Sequence, residues 1–240
     1  MFSIDGKLFR TLSKIGDLFI LNVLWIIGCL PIVTIGVSTA SMYHCCIKCV
    51  RRDRSQTGKE FWKAYKMNFK QGILGTLLCA VLIYLVLVLY NSTSTLIESG
   101  ASTFRDTVFV LGMLVFTLLV TSFCTIFFPA LSRFSMKFGQ LLKLTFFMSL
   151  RHFLRSAVAG AIVFVLFYAV LGNYMMVLFL PAPLALLFTF FFEPVLLKYI
   201  PRDMVQGQDD WYFEGQDKQE EKRKKEGQRQ SLIQRLGKKK

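Results

Sequence analysis

Apolar residues in this chain come in long uncharged blocks separated by short basic ones. The first block lies between Asp17 and Lys48 and contains no charged residue. Its apolar part exceeds the ~20 residues that carry a helix across a bilayer, so the pattern predicts a membrane segment over residues 17–43. Leu30-Pro31-Ile32-Val33-Thr34-Ile35-Gly36 interrupts that segment. Pro31 has no backbone N–H to give, and Gly36 adds backbone freedom a turn later. A kinked or re-entrant helix is expected, with helix breaks at Pro31 and Gly36.

Ahead of this block, residues 2–16 set Leu8, Leu12 and Ile15 on one helical face with Phe9 beside them, and Lys7, Arg10 and Lys14 elsewhere. That basic amphipathic pattern suits a membrane surface. After the block, Thr57-Gly58-Lys59-Glu60 has the spacing of a capping box. The helix it opens, Lys59 to Gln71, interleaves Phe61, Trp62, Tyr65 and Phe69 with Lys63, Lys66 and Lys70. Aromatics with lysines between them suit the headgroup layer, and Phe61, Trp62, Tyr65, Phe69 and Lys70 form a candidate partner surface.

Four further apolar spans are expected over residues 72–90, 107–131, 156–179 and 183–200. A Ser/Thr-rich loop, residues 91–106, separates the first two, and a second basic aromatic connection, Arg133 to Arg155, precedes the third. Between Ser156 and Leu197 the only charge is Glu193, and the ~42 residues suffice for two crossings with a turn between them. Leu171-Gly172-Asn173 offers a break, but Pro181-Ala182-Pro183 is the stronger one, since Pro183 then falls in the first turn of the next helix. Pro129 and Pro194 add candidate helix breaks near the basic ends of their spans. Proline-bearing span, basic aromatic helix and return span occur twice in succession, the pattern of an internal repeat. The fold class is therefore all-α: a polytopic membrane helix bundle of about five spans in residues 1–200, followed by a charged tail, residues 201–240, whose composition is that of a disordered segment.

Charge refines this picture. The formal net charge is +14, but Lys and Arg fill the gaps between apolar runs, which writes topology rather than nucleic-acid binding. They number eight in residues 44–71, one in 91–106, five in 132–155 and twelve after 197. The basic connections and the C-terminus are thus expected in the cytoplasm, at the cell membrane. Five full spans then put the N-terminus outside, whereas a re-entrant hairpin at Pro31–Gly36 leaves four and puts it inside. The apolar run is too long for the ~7–15-residue core of a signal peptide.

Candidate chemistry is sparse. The six cysteines lie in or beside apolar runs and form no spaced disulfide framework. His44, Cys45, Cys46 and Cys49 are soft ligands crowded on one helical end with no second pair to complete a tetrahedral site. His152 has no carboxylate close in sequence. No phosphate loop, paired carboxylates or metalloprotease motif appears, so neither an enzyme nor a cofactor is expected. The candidate intramembrane polar site is Glu193 with Asn22. A lone carboxylate there costs several kcal/mol, so Glu193 is expected to reach Lys198, Arg133 or interfacial water, or to face a polar cavity.

Leu21-Asn22-Val23-Leu24-Trp25 with Leu30-Pro31-Ile32-Val33-Thr34-Ile35-Gly36, then Phe61 through Asn68-Phe69-Lys70-Gln71, and Phe128-Pro129-Ala130-Leu131-Ser132-Arg133-Phe134, together resemble the bacterial YesL family over residues 5–200. The resemblance implies a small integral membrane protein without assigned activity, commonly encoded beside carbohydrate ABC-transporter components in Gram-positive bacteria. It carries over no catalytic residues. Cys45, Cys46 and Cys49 stand where that family tends to have apolar or aromatic residues. The expected role is a non-enzymatic accessory or assembly partner of a carbohydrate-uptake system, contacting the lipid bilayer and ABC-transporter permease subunits. The alternative is a small transporter or channel whose helix breaks expose backbone to a polar path.

Overall fold

The computed structural model describes residues 4–51, 56–98, 104–173 and 175–199, and among them the chain is all-helical. The helices are α1 Ile4–Gly28, α2 Ile35–Cys45, α3 Thr57–Glu98, α4 Phe104–Leu131, α5 Phe138–Arg151, α6 Phe153–Gly172, α7 Met176–Phe179 and α8 Pro181–Leu196. A 3₁₀ turn, Ile32–Thr34, leads into α2, and a π-helical turn, Cys46–Arg51, continues it. The tail expected over residues 201–240 lies outside the described residues.

Two helices are long and apolar enough to cross a membrane, over Thr57–Ser94 and Asp106–Leu131. A third counts if Phe138–Arg151 and Phe153–Val163, bent by 95° at their junction, act as one. Length and composition thus give two or three crossings where the sequence pattern suggests five. At 16 residues α8 is ~24 Å long, short of the ~30 Å hydrocarbon layer.

The uncharged block at residues 17–43 is not one straight helix. α1 stops at Gly28, and α2 returns alongside it, since the contacts pair in opposite directions: Trp25 Nε1 donates to Thr39 Oγ1 at 3.3 Å, while Leu21 packs with Met42 and Cys45. The turn between them seals its own backbone. Thr34 Oγ1 donates to Gly28 O (2.8 Å) and Pro31 O (2.7 Å), and Tyr65 Oη reaches Gly28 O. α2 becomes the core of the molecule, and between Gly36 and Val50 only Thr39 is more than buried-level exposed. α3 runs antiparallel to it, with Glu60 at His44 and Gly72 at Val37. α4 runs antiparallel to α3, with Phe127 against Gly75.

Several expected boundaries shift, each for a local reason. The basic aromatic helix and the next span are one helix, since nothing between Gln71 and Gly72 stops the hydrogen-bond ladder, and it continues through residues 91–98 of the expected loop. The side chains of the expected capping box have partners elsewhere. Thr57 Oγ1 donates to Asp17 Oδ1 at 2.7 Å, and the Glu60 carboxylate turns to Lys48. Of the expected breaks, Pro31 sits in a true interruption. Gly36 lies inside α2, where it allows close packing, and α4 and α8 run through Pro129 and Pro194. Each of those prolines stands two residues before its helix's last residue, so the carbonyl it leaves unserved lies close to the helix end and little helix remains beyond it to be disturbed. α6 ends at Gly172, so the chain breaks there as well as at Pro181.

A methyl group at Gly36 would collide with Phe128 and Thr76 Oγ1, and one at Gly75 with Phe127, whereas Gly112 and Gly139 have open space. Gly36→Ala and Gly75→Ala are each expected to cost ~1–3 kcal/mol by overpacking, read as a lower midpoint of thermal unfolding in detergent. Gly112→Ala and Gly139→Ala should leave the midpoint where it is or raise it.

Candidate functional site

The polar side chains that the apolar blocks carry converge on α2 and its π-helical end. On one side, Glu60 Oε1 accepts from Lys48 Nζ at 2.7 Å and lies 3.3 Å from His44 Nε2, all three side chains being buried. A charged pair held this close inside a protein must be hydrogen-bonded to offset its desolvation. His44, in the last turn of α2, and Lys48, four residues on in the π-helical turn, both face Glu60.

On the other side stands Glu193. Arg133 Nη2 donates to both carboxylate oxygens, at 2.8 and 2.9 Å, tying the end of α4 to α8. Arg133 is the largest fully buried side chain described. Of the partners expected for Glu193, the structure thus selects Arg133. Close by, Arg51 Nη1 lies 3.3 Å from Thr189 Oγ1 and its guanidinium stacks over the Phe190 ring at 4.5 Å. The buried Tyr43 hydroxyl, which feels the charges of Glu193, Arg133 and Arg51, has no hydrogen-bond partner among the described residues.

Asn22 does different work. Its Oδ1 accepts from Ala182 N at 2.8 Å and its Nδ2 donates to Phe179 O at 3.2 Å. One side chain on α1 therefore caps the start of α8 and takes a carbonyl from the end of α7. Pro181 has no N–H and Leu180 offers no side-chain cap, so the helix depends on a residue ~160 positions away in the chain for one of the donors that every helix N-terminus leaves over. Asn22 and Glu193 do not form one site: Ala182 and Glu193 are separated by ~16 Å along α8.

Cys45, Cys46 and Cys49 are buried with Leu21, Met42, Phe61 and Ala182, and Cys46 Sγ approaches Ala182 O at 3.8 Å. Among the described residues no group of three His, Cys, Asp or Glu side chains is disposed to hold a metal ion. His152 lies at the α5–α6 corner against Tyr199, whose hydroxyl is 3.4 Å from Nε2. Partial burial, and after it the charges of Arg155, Arg151 and Lys198, hold its pKa below the ordinary value.

The expected partner surface divides. Phe61 is fully buried against the cysteine cluster and faces no partner, and Tyr65 is turned inward to Gly28. Trp62, Phe69 and Lys70 are exposed, and Trp62 with Gly58, Lys59, Lys63 and Lys66 lines a shallow open groove. The His44–Lys48–Glu60 cluster had no sequence signal, because its members sit on two helices 12 and 16 residues apart in register.

Arg133→Leu strands a buried carboxylate and is expected to cost ~3–5 kcal/mol, while Arg133→Leu with Glu193→Leu together should recover most of that loss. Asn22→Ala removes the cap on α8 and should cost ~1 kcal/mol. Thermal unfolding of the four proteins in one detergent checks both.

Residues 18–90 match the family described as "Protein of unknown function, DUF624", a stretch that covers under a third of the chain. No curated protein and no solved structure matches it. What this chain is similar to, over the α1–α2 hairpin and the first part of α3, is therefore a family without an assigned activity.

Proposed function

We infer that this is a multi-pass protein of the cell membrane, of YesL type, that works by contact, as a non-enzymatic accessory or assembly partner of a carbohydrate-uptake system of the ABC class. The observation that carries the reading is the way polar and aromatic groups are shared out. Charges inside the bundle are engaged with one another, Glu193 with Arg133 and Glu60 with Lys48. The groove of Trp62, Lys59, Lys63 and Lys66, with Phe69 beyond it, remains on the surface. An exposed aromatic anchor among basic residues is the composition of a binding surface.

Its place along α3 supports a protein partner. Gly72 begins the uncharged stretch that would enter the hydrocarbon, and Trp62 lies ten residues before it, ~15 Å away along the helix. That is beyond the headgroup layer and in reach of the cytoplasmic face of a permease. α1 adds an apolar face, Leu12, Ile15, Phe19, Val23 and Ile27, that the rest of the fold leaves exposed. The matched family supplies the link to carbohydrate uptake only through the YesL resemblance. With five spans replaced by fewer long helices, the C-terminus still falls on the side of the basic connections by the positive-inside count.

Transport by the chain itself is the second reading, and the unpartnered hydroxyl of Tyr43 beside Glu193 is what favours it. If it holds, Glu193→Gln should insert normally but change the growth phenotype of a deletion strain.

Trp62→Ala with Phe69→Ala is expected to abolish recovery of permease subunits when the protein is purified in mild detergent and its partners are read by mass spectrometry, with the membrane-inserted amount unchanged. Undiminished recovery removes this surface from the contact, and a wild-type preparation free of permease subunits ends the accessory reading.

A further inference from the structure

We propose that residues 29–35 are the tip of a re-entrant hairpin, which enters the lipid from the side of Thr57 and returns to that side. The chain ahead of Asp17 and the connection ahead of Thr57 then lie on one face of the membrane. The occupant of the tip's surroundings is the acyl-chain layer of the leaflet on that face. The inference rests on α3 crossing a bilayer, and not on any accessory role.

α3 serves as the ruler. Its uncharged stretch, Gly72–Tyr90, has 19 residues, ~28 Å of helix, close to the ~30 Å of a bilayer's hydrocarbon core. Gly36 N donates to Thr76 Oγ1 at 3.1 Å, and Val37 packs on Gly72. The start of α2, just after the tip, therefore stands abreast of the first turn of that stretch. From Thr76 to Tyr90 there remain ~21 Å of helix, so a chain that turns back at Pro31 stops far short of the other face. Lys66 and Lys70, both exposed, fall just outside Gly72, at the level of lipid phosphates, where long basic side chains are at home.

The tip has the surface of a lipid-facing element. Leu30 and Ile32 are 77% and 78% exposed, with Val33 and Ile35 also open, and the nearest charges in sequence are Asp17 and Lys48. A surface loop in water leaves its backbone to the solvent. Here the groups freed at Pro31 are taken inside: Thr34 Oγ1 donates to the Gly28 and Pro31 carbonyls, Tyr65 Oη donates to Gly28 O, Thr34 N donates to Pro31 O, and Gly36 N donates to Thr76. Apolar side chains outward, with the Gly28 and Pro31 carbonyls and the Thr34 and Gly36 amides bonded inward, is the pattern that hydrocarbon favours in a non-helical turn. At the open end, Thr57 Oγ1 on Asp17 Oδ1 joins the first arm to the start of α3. The arrangement also puts Lys7, Arg10 and Lys14 on the side of Lys48 and Arg51, as the positive-inside rule asks.

The test uses the full chain in proteoliposomes. In a background with Trp25→Phe, Trp62→Phe and Trp211→Phe, a single reporter is introduced by Ile32→Trp, and separately by Val81→Trp in the middle of the α3 stretch. Lipids brominated near the headgroup end of the acyl chain should remove most of the Ile32→Trp fluorescence, with iodide ineffective from either side. Lipids brominated near the chain end should act most on Val81→Trp. Quenching of Ile32→Trp by iodide from the face opposite Thr57 means a full crossing and overturns the proposal, and so does indifference to every brominated lipid, which means that protein covers the tip. If Val81→Trp is also indifferent, α3 does not cross, and the hairpin falls together with the membrane placement. Two variants that leave the tip alone give an independent reading: Ser3→Cys and Gly58→Cys should react with an impermeant maleimide from the same side of sealed vesicles, and labelling from opposite sides overturns the proposal.

Discussion

Backbone amide and carbonyl groups have to be bonded wherever water is absent, and in this chain that constraint bears hardest on the seven residues around Pro31. A proline in an apolar run uncovers carbonyls that its own N–H would otherwise have served. Around this break Thr34 and Tyr65 donate to the Gly28 and Pro31 carbonyls, and Thr76 accepts from the Gly36 amide, all from within the molecule. With these bonds in place, the run can fold back on itself, and the returning arm, α2, can be buried on nearly all sides by α1, α3, α4 and α8. The remaining packing follows from α2. Gly36 and Gly75 permit the close approach of α4, while the cysteines at its far end fill the space against Leu21 and Phe61.

Burying α2 also buries the polar residues at its end, and the fold answers this with pairing across helices. Lys48 and His44 meet Glu60 on α3. α8 is held at both ends by side chains from elsewhere, Asn22 at its start and Arg133 at Glu193 near its finish. Such pairs contribute little net stability against apolar replacements of the same size, but removing one partner is costly. Their effect is to specify how α8 sits: a 16-residue helix too short to span a bilayer alone is given a fixed position by its two polar ends.

The same distribution shapes the outer surface. With the carboxylates of Glu60 and Glu193 engaged inside, the basic residues of α3 around Trp62 make no ion pair among the described residues, and the apolar face of α1 is exposed. That distribution of exposed aromatic, basic and apolar groups is what the proposed role, contact with lipid and with a partner, rests on.

Much of this was legible along the chain. The uncharged blocks at residues 72–90 and 107–131 are helices of spanning length, the basic aromatic connection after Arg133 contains the separate helix α5, and Pro31 marks a true break, because hydrophobic length and the missing N–H of proline act locally and leave a local trace. The sequence could name Arg133 among the partners of Glu193, but not choose it, since the two are 60 residues apart and meet only through the turn after α4. Nor could it tell a kink from a hairpin at Pro31, place Phe61 inside while Trp62 one position on stays outside, or foresee that Asn22 would cap a helix near the chain's other end. Those outcomes depend on which faces meet once the helices pack. Tertiary structure alone decides that, because burial and hydrogen-bond pairing are properties of two segments together and are written in neither one by itself.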